Sequence, residues 1–225
     1  MHAWDFSSVW ASTDFLLLGL LNTLRLTGSA LLFGVPIGLG LALMRLSPRT
    51  WLRLPAYTVI EVFRITPPLI QLFWFFFALP ILIQVEMTPY VAATLTFSIQ
   101  SAAFFAEVFR AGIVSVEKGQ WEAGRALGMS PQQLMRRVVL PQAVKRMVPA
   151  FLERSIELMK TTTLAATVSY MDLLFQTNEV AQKTFRPLEA FTATALVYFV
   201  VIFGASVLVR SLERRLAVSG EGVVH

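Results

Sequence analysis

The stretch GQWEAGRALGMSPQQLMRRVVLPQA, residues 119–143, is the most polar long segment in a strongly apolar chain. Good helix formers predict a short helix over 117–127, and Gly128 is the residue type that ends helices. Ser130 and Pro131 are typical of the cap and first turn of a second helix. An ordinary solvated loop is the alternative, but such a loop rarely contains this many helix start and stop signals. The stretch therefore predicts two short helices joined at a bend, a shape suited to docking a partner.

The composition of the whole chain indicates a membrane protein. The 225 residues are 56% hydrophobic and 15% charged, whereas a soluble domain is about half apolar and roughly a quarter charged. Cysteine is absent, and the two histidines, His2 and His225, lie at opposite ends, so thiol chemistry and a histidine-based metal site are not expected. The cations alternate with long apolar runs instead of forming one stripe, which argues against nucleic-acid binding.

Five segments approach the length of about 20 mostly apolar residues that a helix needs to cross a bilayer. The first has no basic start and no cleavage site, so it is not a signal peptide. The fourth is the weakest because it contains four charged residues. We expect one transmembrane domain over residues 1–225, with spans at about 15–46, 56–83, 88–113, 148–175 and 190–209.

The positions of Lys and Arg predict the orientation of these spans. The segments 1–14 and 84–87 contain none, and the loop before the last span contains only Lys183 and Arg186. The other side carries Arg45, Arg49, Arg53, Arg110, Lys118, Arg125, Arg136, Arg137, Lys145, Arg146, Arg210, Arg214 and Arg215. Because cytoplasmic loops are enriched in these residues, the N-terminus is predicted outside and the C-terminus in the cytosol. The bent helix pair is then cytoplasmic.

The same stretch resembles the signature motif of bacterial ABC-importer permeases. That motif runs E-A-A, three residues, G, nine residues, I, one residue, L-P. The chain has Glu122-Ala123-Gly124, then Gly128, Val138 and Leu140-Pro141, with every spacing kept. Gly124 replaces the second Ala and Val138 replaces the Ile. The preceding Lys118-Gly119-Gln120 is similar to the form found in polar amino-acid permeases.

Four further segments resemble the same permease family in the same order, and together they cover most of residues 15–215. They are GLLNTL (19–24), EVFRITPPLIQ (61–71), QSAAFFAEVFRAGI (100–113) and MVPAFLERSIELMKTTTL (147–164). Pro68 stands where the family usually has Leu, Thr161 and Thr163 where it has Asp and Ser, and Glu153 where Asn is common. These departures concern the identity of the substrate.

The resemblance implies an all-α integral membrane protein with the type I ABC-importer permease fold. In that family the bent helices of the coupling region, here 114–146, insert into a groove on an ATPase subunit. The coupling residues would be Gly119, Glu122, Ala123, Gly124, Gly128, Leu140 and Pro141. The implied partners are ABC ATPase subunits, a second permease chain (identical or sister), an extracytoplasmic amino-acid-binding protein and membrane lipid. The chain has no phosphate-binding loop, so it has no cofactor of its own, and ATP and Mg would be bound by the ATPase subunits.

Charged residues at membrane depth generally pair or face an aqueous path. Glu61 and Arg64 are three residues apart, as are Glu107 and Arg110, so each pair lies on one helix face. We interpret both as structural ion pairs at the cytoplasmic ends of their spans, in preference to contacts with substrate.

The fourth span carries Glu153, Glu157 and Lys160 on one side of a helix, which cannot face lipid comfortably. Either this face packs against partner subunits, with Glu157 and Lys160 paired, or it lines a translocation path. In the second case Glu153 is the strongest candidate to hold a substrate ammonium. The predicted substrate-binding residues are Glu153, Glu157, Gln100, Ser101, Thr66 and Gln71.

The sequence therefore predicts the permease subunit of an ABC importer for polar amino acids, located in the bacterial cytoplasmic membrane and not itself an enzyme. Another small solute, such as an opine or a compatible solute, is the alternative substrate. A stand-alone channel would need no docking element. A membrane enzyme would need a nucleophile or metal set, and we find no Gly-x-Ser-x-Gly, His-Glu-x-x-His or paired Asp.

Overall fold

A computed structural model describes residues 4–217, so His2 and His225 lie outside the described part of the chain. Residues 4–217 form helices and contain no β-strand, as the predicted all-α fold class requires. The α-helices are α1 (Ser7–Ala11), α2 (Thr13–Leu46), α3 (Thr50–Ile65), α4 (Pro68–Phe73), α5 (Leu79–Ile83), α6 (Pro89–Val114), α7 (Lys118–Ala126), α8 (Pro131–Leu134), α9 (Leu140–Thr161), α10 (Leu173–Thr184) and α11 (Pro187–Ala217). A 3₁₀ segment, Thr162–Val168, follows α9.

Three single helices are long and apolar enough to cross a bilayer. They are α2, α6 and α11, and they overlap the predicted spans 15–46, 88–113 and 190–209. The predicted span 56–83 is present as a bent pair, α3 followed by residues 68–83, with an angle of 107° at the break. The described residues thus contain three to four such spans by length and composition.

The break in the bent pair lies at Thr66 and Pro67. Neither residue has helical backbone angles, and the two prolines at 67 and 68 cannot continue the hydrogen bonding of α3. The buried Gln71 side chain compensates, because its Nε2 donates to the carbonyl oxygens of Phe63 (3.0 Å) and Thr66 (2.9 Å). Two carbonyls at the break are therefore hydrogen-bonded by this one side chain.

The predicted span 148–175 is wrong as a single helix. The helix α9 begins earlier, at Leu140, and ends at Thr161, after which the chain turns through the 3₁₀ segment into α10. With 22 residues α9 is about 33 Å long, enough for a bilayer core, but its charged residues keep it out of the apolar spans. The apolar residues after Thr161 extended the predicted span past the true helix end.

The core of the fold is the contact between α2 and α6, which run against each other. Every fourth residue of α2 on this face is small and buried, namely Ala30, Gly34, Gly38 and Ala42. A Cβ added at Gly38 would lie 2.7 Å from the carbonyl oxygen of Ala102 in α6. Small residues at this spacing let two helix backbones approach closely, which is how helices associate in lipid.

Two segments of π-helix, Trp74–Ala78 and Met135–Val139, interrupt longer helices. Each is followed after one further residue by a proline, Pro80 or Pro141. Proline cannot donate to the preceding turn and its ring crowds the carbonyl four residues back. The wider π turn accommodates the ring, so the chain passes through Pro141 into α9 without a break.

Candidate coupling element and substrate cavity

The bend between α7 and α8 is closed by backbone hydrogen bonds at the end of α7. The Met129 N–H donates to the Gly124 carbonyl (3.1 Å) and the Gly128 N–H to the Arg125 carbonyl (3.0 Å). This pair of bonds is the Schellman arrangement, which needs a left-handed residue just after the helix. Gly128 supplies it, with φ of 72°.

The second helix begins with a complete capping box. The Ser130 hydroxyl accepts a hydrogen bond from the Gln133 N–H (3.3 Å), and the Gln133 side chain accepts one from the Ser130 N–H (3.0 Å). Pro131 occupies the first helical position, where its missing N–H costs nothing. The start and stop signals in the sequence thus fold into a defined bend between two helices.

The predicted coupling residues divide into an outward set and an inward one. Glu122 and Ala123 are exposed, and so is Leu127, whose side chain is 81% exposed at the tip of the bend. Gly119, Gly128, Leu140 and Pro141 are exposed as well. Gly124 is buried, because the Leu134 side chain lies where a Cβ on residue 124 would be.

The candidate coupling element, which consists of α7, α8 and the bend between them, is anchored to the helices on either side of it by a small hydrophobic core. Its buried members are Ile113, Val116, Leu134, Val139, Ala143 and Met147. Polar contacts add to this core: the Arg146 guanidinium donates to the Ser115 carbonyl, and the Gln142 amide donates to Gln120 Oε1 at 3.4 Å. The bend is therefore fixed to both α6 and α9.

The two ion pairs expected at the cytoplasmic ends of the spans are present. Arg64 lies 3.5 Å from Glu61, and the Arg110 Nε lies 3.0 and 3.1 Å from the two carboxylate oxygens of Glu107. Glu107 also lies 4.0 Å from Arg45 of α2, so this carboxylate joins two helices.

Three of the predicted substrate-binding residues share a small cavity of about 100 Å³ between α4, α6 and α9. Gln100 and Ser101 come from α6 and Glu157 from α9. Gln100 and Ser101 are buried, whereas the Glu157 side chain is 57% exposed. The other lining residues are Pro68, Phe104, Phe105, Arg154, Leu158 and Thr161.

Glu153 does not line this cavity but an adjoining cleft of about 460 Å³. Arg154 and Phe104 line both spaces, and the Arg154 guanidinium carbon lies 4.7 Å from the centre of the Phe104 ring. Arg154 and the aromatic ring therefore stand between the two groups of predicted ligands.

Thr66 and Gln71 lie in neither cavity. The Thr66 hydroxyl donates to the Val62 carbonyl (2.7 Å), and the Gln71 amide is used on the break in the bent pair. Both side chains therefore stabilise the backbone of the helix break in this structure.

The pairing of Glu157 with Lys160, which belonged to one of the two alternatives for this helix face, is not present in the structure. Glu157 forms its ion pair with Arg154, on the N-terminal side, and Lys160 is exposed. Sequence reasoning missed Arg154 and Phe104 as cavity residues. The spacing of Arg154 and Glu157, three residues apart on one helix, was a signal available for the first; nothing local distinguished Phe104 from its aromatic neighbours. No group of three metal-ligating side chains occurs within residues 4–217.

Comparison with known proteins gives matches over nearly the whole chain. The sequence profile of the family described as "Binding-protein-dependent transport system inner membrane component" matches residues 34–218. The glutamate/aspartate import permease protein GltK of Escherichia coli is 36% identical over 96% of this chain and 100% of its own length. The glutamine transport system permease protein GlnP of Escherichia coli is 34% identical over 95% of this chain and 98% of its own length.

A solved structure agrees with these relatives. The crystal structure of an amino acid ABC transporter with histidines superposes with a TM-score of 0.91 at 35% identity, over 95% of this chain and 100% of that chain. Profile, relatives and fold therefore indicate the same family. The chain belongs to the family of binding-protein-dependent transport system inner membrane components and is a permease subunit of the ABC-importer type.

Proposed function

We propose that this permease carries polar amino acids across the cytoplasmic membrane, driven by ATP that separate subunits hydrolyse with Mg. An extracytoplasmic binding protein would deliver the substrate, and a second permease, identical or sister, would complete the membrane core. The similarity to permeases named for glutamate, aspartate and glutamine supports this substrate class. An opine or a compatible solute is the alternative cargo.

The observation that carries the proposal is the capped bend of α7 and α8. Its outward face presents Glu122, Ala123 and the 81% exposed Leu127, an apolar tip that is costly to leave in water. Its inward face packs on the core shared with α6 and α9. A groove on an ATPase subunit that receives this tip would move the bend and both helices together. Closure of the ATPase dimer would then rock the membrane helices between outward and inward access.

The two adjoining cavities suggest how a zwitterion is held. An amino acid carries an ammonium and a carboxylate, and the cavities offer Glu153 and the Arg154 guanidinium from successive positions of α9. Glu153 makes no ion pair in the described part of the chain, so its carboxylate is available to an ammonium. Arg154 is held against Phe104 and by Glu157, and its fork geometry suits a substrate carboxylate. Gln100 and Ser101 would add neutral hydrogen bonds.

The charged side of α9 fits a helix that lines a path between subunits. Glu153, Arg154, Glu157 and Lys160 cannot face lipid without large cost. With its length of about 33 Å, α9 would act as the fifth membrane helix, its charged side turned inward.

The proposed orientation has the N-terminus outside and the coupling element in the cytosol. Because the chain contains no cysteine, single cysteines report the side of the membrane cleanly. Glu86→Cys and Gln132→Cys both introduce a thiol at an exposed position. In intact cells, a membrane-impermeant maleimide should label the first variant and leave the second unlabelled until the membrane is opened.

The test of the function is co-purification followed by reconstitution. The permease is expressed with the genes that neighbour its own, and the complex is placed in vesicles with and without ATP. ATP-dependent uptake of one group of radiolabelled amino acids is expected. Passive flux through the chain alone, with no ATPase co-purifying, would identify a channel instead, and ATP-driven uptake of another solute alone would exclude amino acids.

A further inference from the structure

A cationic cleft of about 350 Å³ lies between the end of α2, the start of α3 and the end of α6, and it shares no lining residue with the substrate cavities. Its walls are Arg45, Leu46, Arg53, Leu54, Tyr57 and Arg110. The Arg45 guanidinium carbon lies 4.3 Å from the centre of the Tyr57 ring, which keeps this cation at the cleft wall. Nothing in the coupling or transport scheme uses this group.

The arginines of the cleft carry more positive charge than the neighbouring carboxylate neutralises. Glu107 is shared by two of the arginines, with Arg110 Nε at 3.0 Å and Arg45 Nε at 4.0 Å. Arg53 is exposed and has no carboxylate partner in residues 4–217. Three guanidinium groups with one carboxylate leave a site that attracts an anion. Guanidinium forks bind phosphate oxygens in pairs, so a phosphate is the anion that fits them best.

The surroundings of the cleft point to lipid as the source of that phosphate. Trp51 is 67% exposed and Leu54 54% exposed at the start of α3, and this apolar surface continues along α3 to Val62 and Ile65. Exposed Trp beside an apolar helix face is typical of the membrane interface. Leu46 and Leu54 in the walls would contact the first methylenes of an acyl chain, which a free phosphate does not have.

We propose that this cleft binds the phosphate headgroup of an anionic phospholipid of the cytoplasmic leaflet. The three arginines would hold the phosphate oxygens, and Leu46 and Leu54 would contact the start of the acyl chains. The site and the substrate cavities share no lining residue, so the site would bind lipid whether or not an amino acid is present. The assignment to the cytoplasmic leaflet rests on the orientation proposed above. Lipid retention is measured without knowing which leaflet the lipid came from, so this test can fail while the proposed orientation and function hold.

The test uses the complete permease–ATPase complex in nanodiscs of phosphatidylglycerol mixed with phosphatidylcholine. After transfer to a neutral detergent, native mass spectrometry counts the phospholipid that remains bound. Arg53→Gln removes the unpaired cation and leaves the Glu107 pairs intact. Arg49→Gln is the matched control, because Arg49 is an exposed arginine at the same helix start but outside the cleft.

We expect phosphatidylglycerol to be retained over phosphatidylcholine, with retention about fivefold lower in Arg53→Gln and unchanged in Arg49→Gln. Arg53→Lys should restore most of it. Equal retention in Arg53→Gln and the control would overturn the proposal. So would displacement of the lipid by millimolar inorganic phosphate, which indicates a free-anion site, or loss of the ATPase subunit from Arg53→Gln alone, which indicates a protein contact.

Discussion

The side chain of Leu134 fills the space beside Gly124 in which a Cβ would lie, so the two arms of the coupling bend meet without a gap. Adding a methyl group, Gly124→Ala, requires the end of the Leu134 side chain to shift within the core under the bend. We expect a loss of about 1–3 kcal/mol in stability of this region. Thermal unfolding of the purified complex and the ratio of transport to ATP hydrolysis measure it.

Gly119→Ala is the control for the stability measurement alone, since nothing lies within 4 Å of a Cβ at Gly119 and this residue is itself one of the predicted coupling residues. It should be neutral or slightly stabilising, because Ala favours helix over Gly by about 1 kcal/mol. In the double variant Gly124→Ala with Leu134→Ala, the loss of stability should be smaller than the sum of the losses in the two single variants. Equal effects of the two alanine substitutions would contradict the packing we describe.

The left-handed backbone at Gly128 makes the bend sensitive to any side chain there. Gly128→Ala should cost about 1–2 kcal/mol locally, and Gly128→Asn less, because Asn tolerates this conformation. Since the bend would touch the ATPase, we expect ATP hydrolysis that is no longer matched by uptake, and the same for Glu122→Ala. Uptake and hydrolysis are measured together in vesicles. Normal coupling in both Gly128→Ala and Glu122→Ala would exclude the coupling role.

Removing the amide of Gln71 should destabilise the bend between α3 and α4. Gln71→Leu leaves the carbonyls of Phe63 and Thr66 without this donor, at a cost of about 0.5–1.5 kcal/mol for each part-buried hydrogen bond. Ile70→Leu, a nearby exposed apolar change, is the control. Thermal unfolding checks stability, and substrate affinity should stay unchanged, because Gln71 lies outside the cavities. If Gln71→Leu lowered the affinity for substrate without lowering stability, Gln71 would be a substrate ligand, as the sequence predicted.

Neutralising Glu153 should weaken transport while leaving assembly intact. Glu153→Gln removes the carboxylate proposed to hold the substrate ammonium, and the expected loss is about tenfold in uptake efficiency, typical of one charge-assisted hydrogen bond. Glu86→Gln, an exposed change outside both cavities, is the control. Concentration-dependent uptake in vesicles gives the measurement. Unchanged uptake in Glu153→Gln would show that this carboxylate has a structural role and does not bind the substrate.

The contact between α2 and α6 offers a matched pair two residues apart. A Cβ at Gly38 meets the Ala102 backbone, which cannot yield as a flexible side chain does, whereas nothing lies within 4 Å of a Cβ at Gly40. Gly38→Ala should lower the unfolding temperature and the yield of folded protein, with a cost of several kcal/mol. Gly40→Ala should match wild type in the same assay. Similar unfolding temperatures for the two variants would argue against close backbone contact.

Local signals in the sequence predicted the local features of the structure. Gly128, Ser130 and Pro131 each act through their own backbone angles or nearest turns, so their roles follow from residue type alone. The break near Pro67 could have been predicted for the same reason, because two consecutive prolines cannot continue a helix. The predicted ion pairs at three-residue spacing also needed only helix geometry.

Features that depend on packing between distant segments were not predictable in this way. The small residues of α2 contribute little to a hydrophobicity pattern. The sequence therefore did not indicate that the small residues from Ala30 to Ala42 pack against another helix. The predicted span 148–175 was wrong because hydropathy reports the composition of a segment and not the residue at which a helix ends. Apolar residues continue after Thr161, so the hydropathy gave no sign of the turn. Placing Arg154 beside Phe104 required knowing that α9 crosses α6 at that level.

The backbone contact between α2 and α6 has a consequence for how the permease moves. Helices that touch through Gly34 and Gly38 cannot slide or turn against each other without first separating, and lipid would not fill the gap. We therefore expect α2 and α6 to move together as one body in the transport cycle. Within the subunit we expect displacement at residues 68–83, which are joined to this body through the 107° bend, and at α11, because so little of it is covered within the subunit.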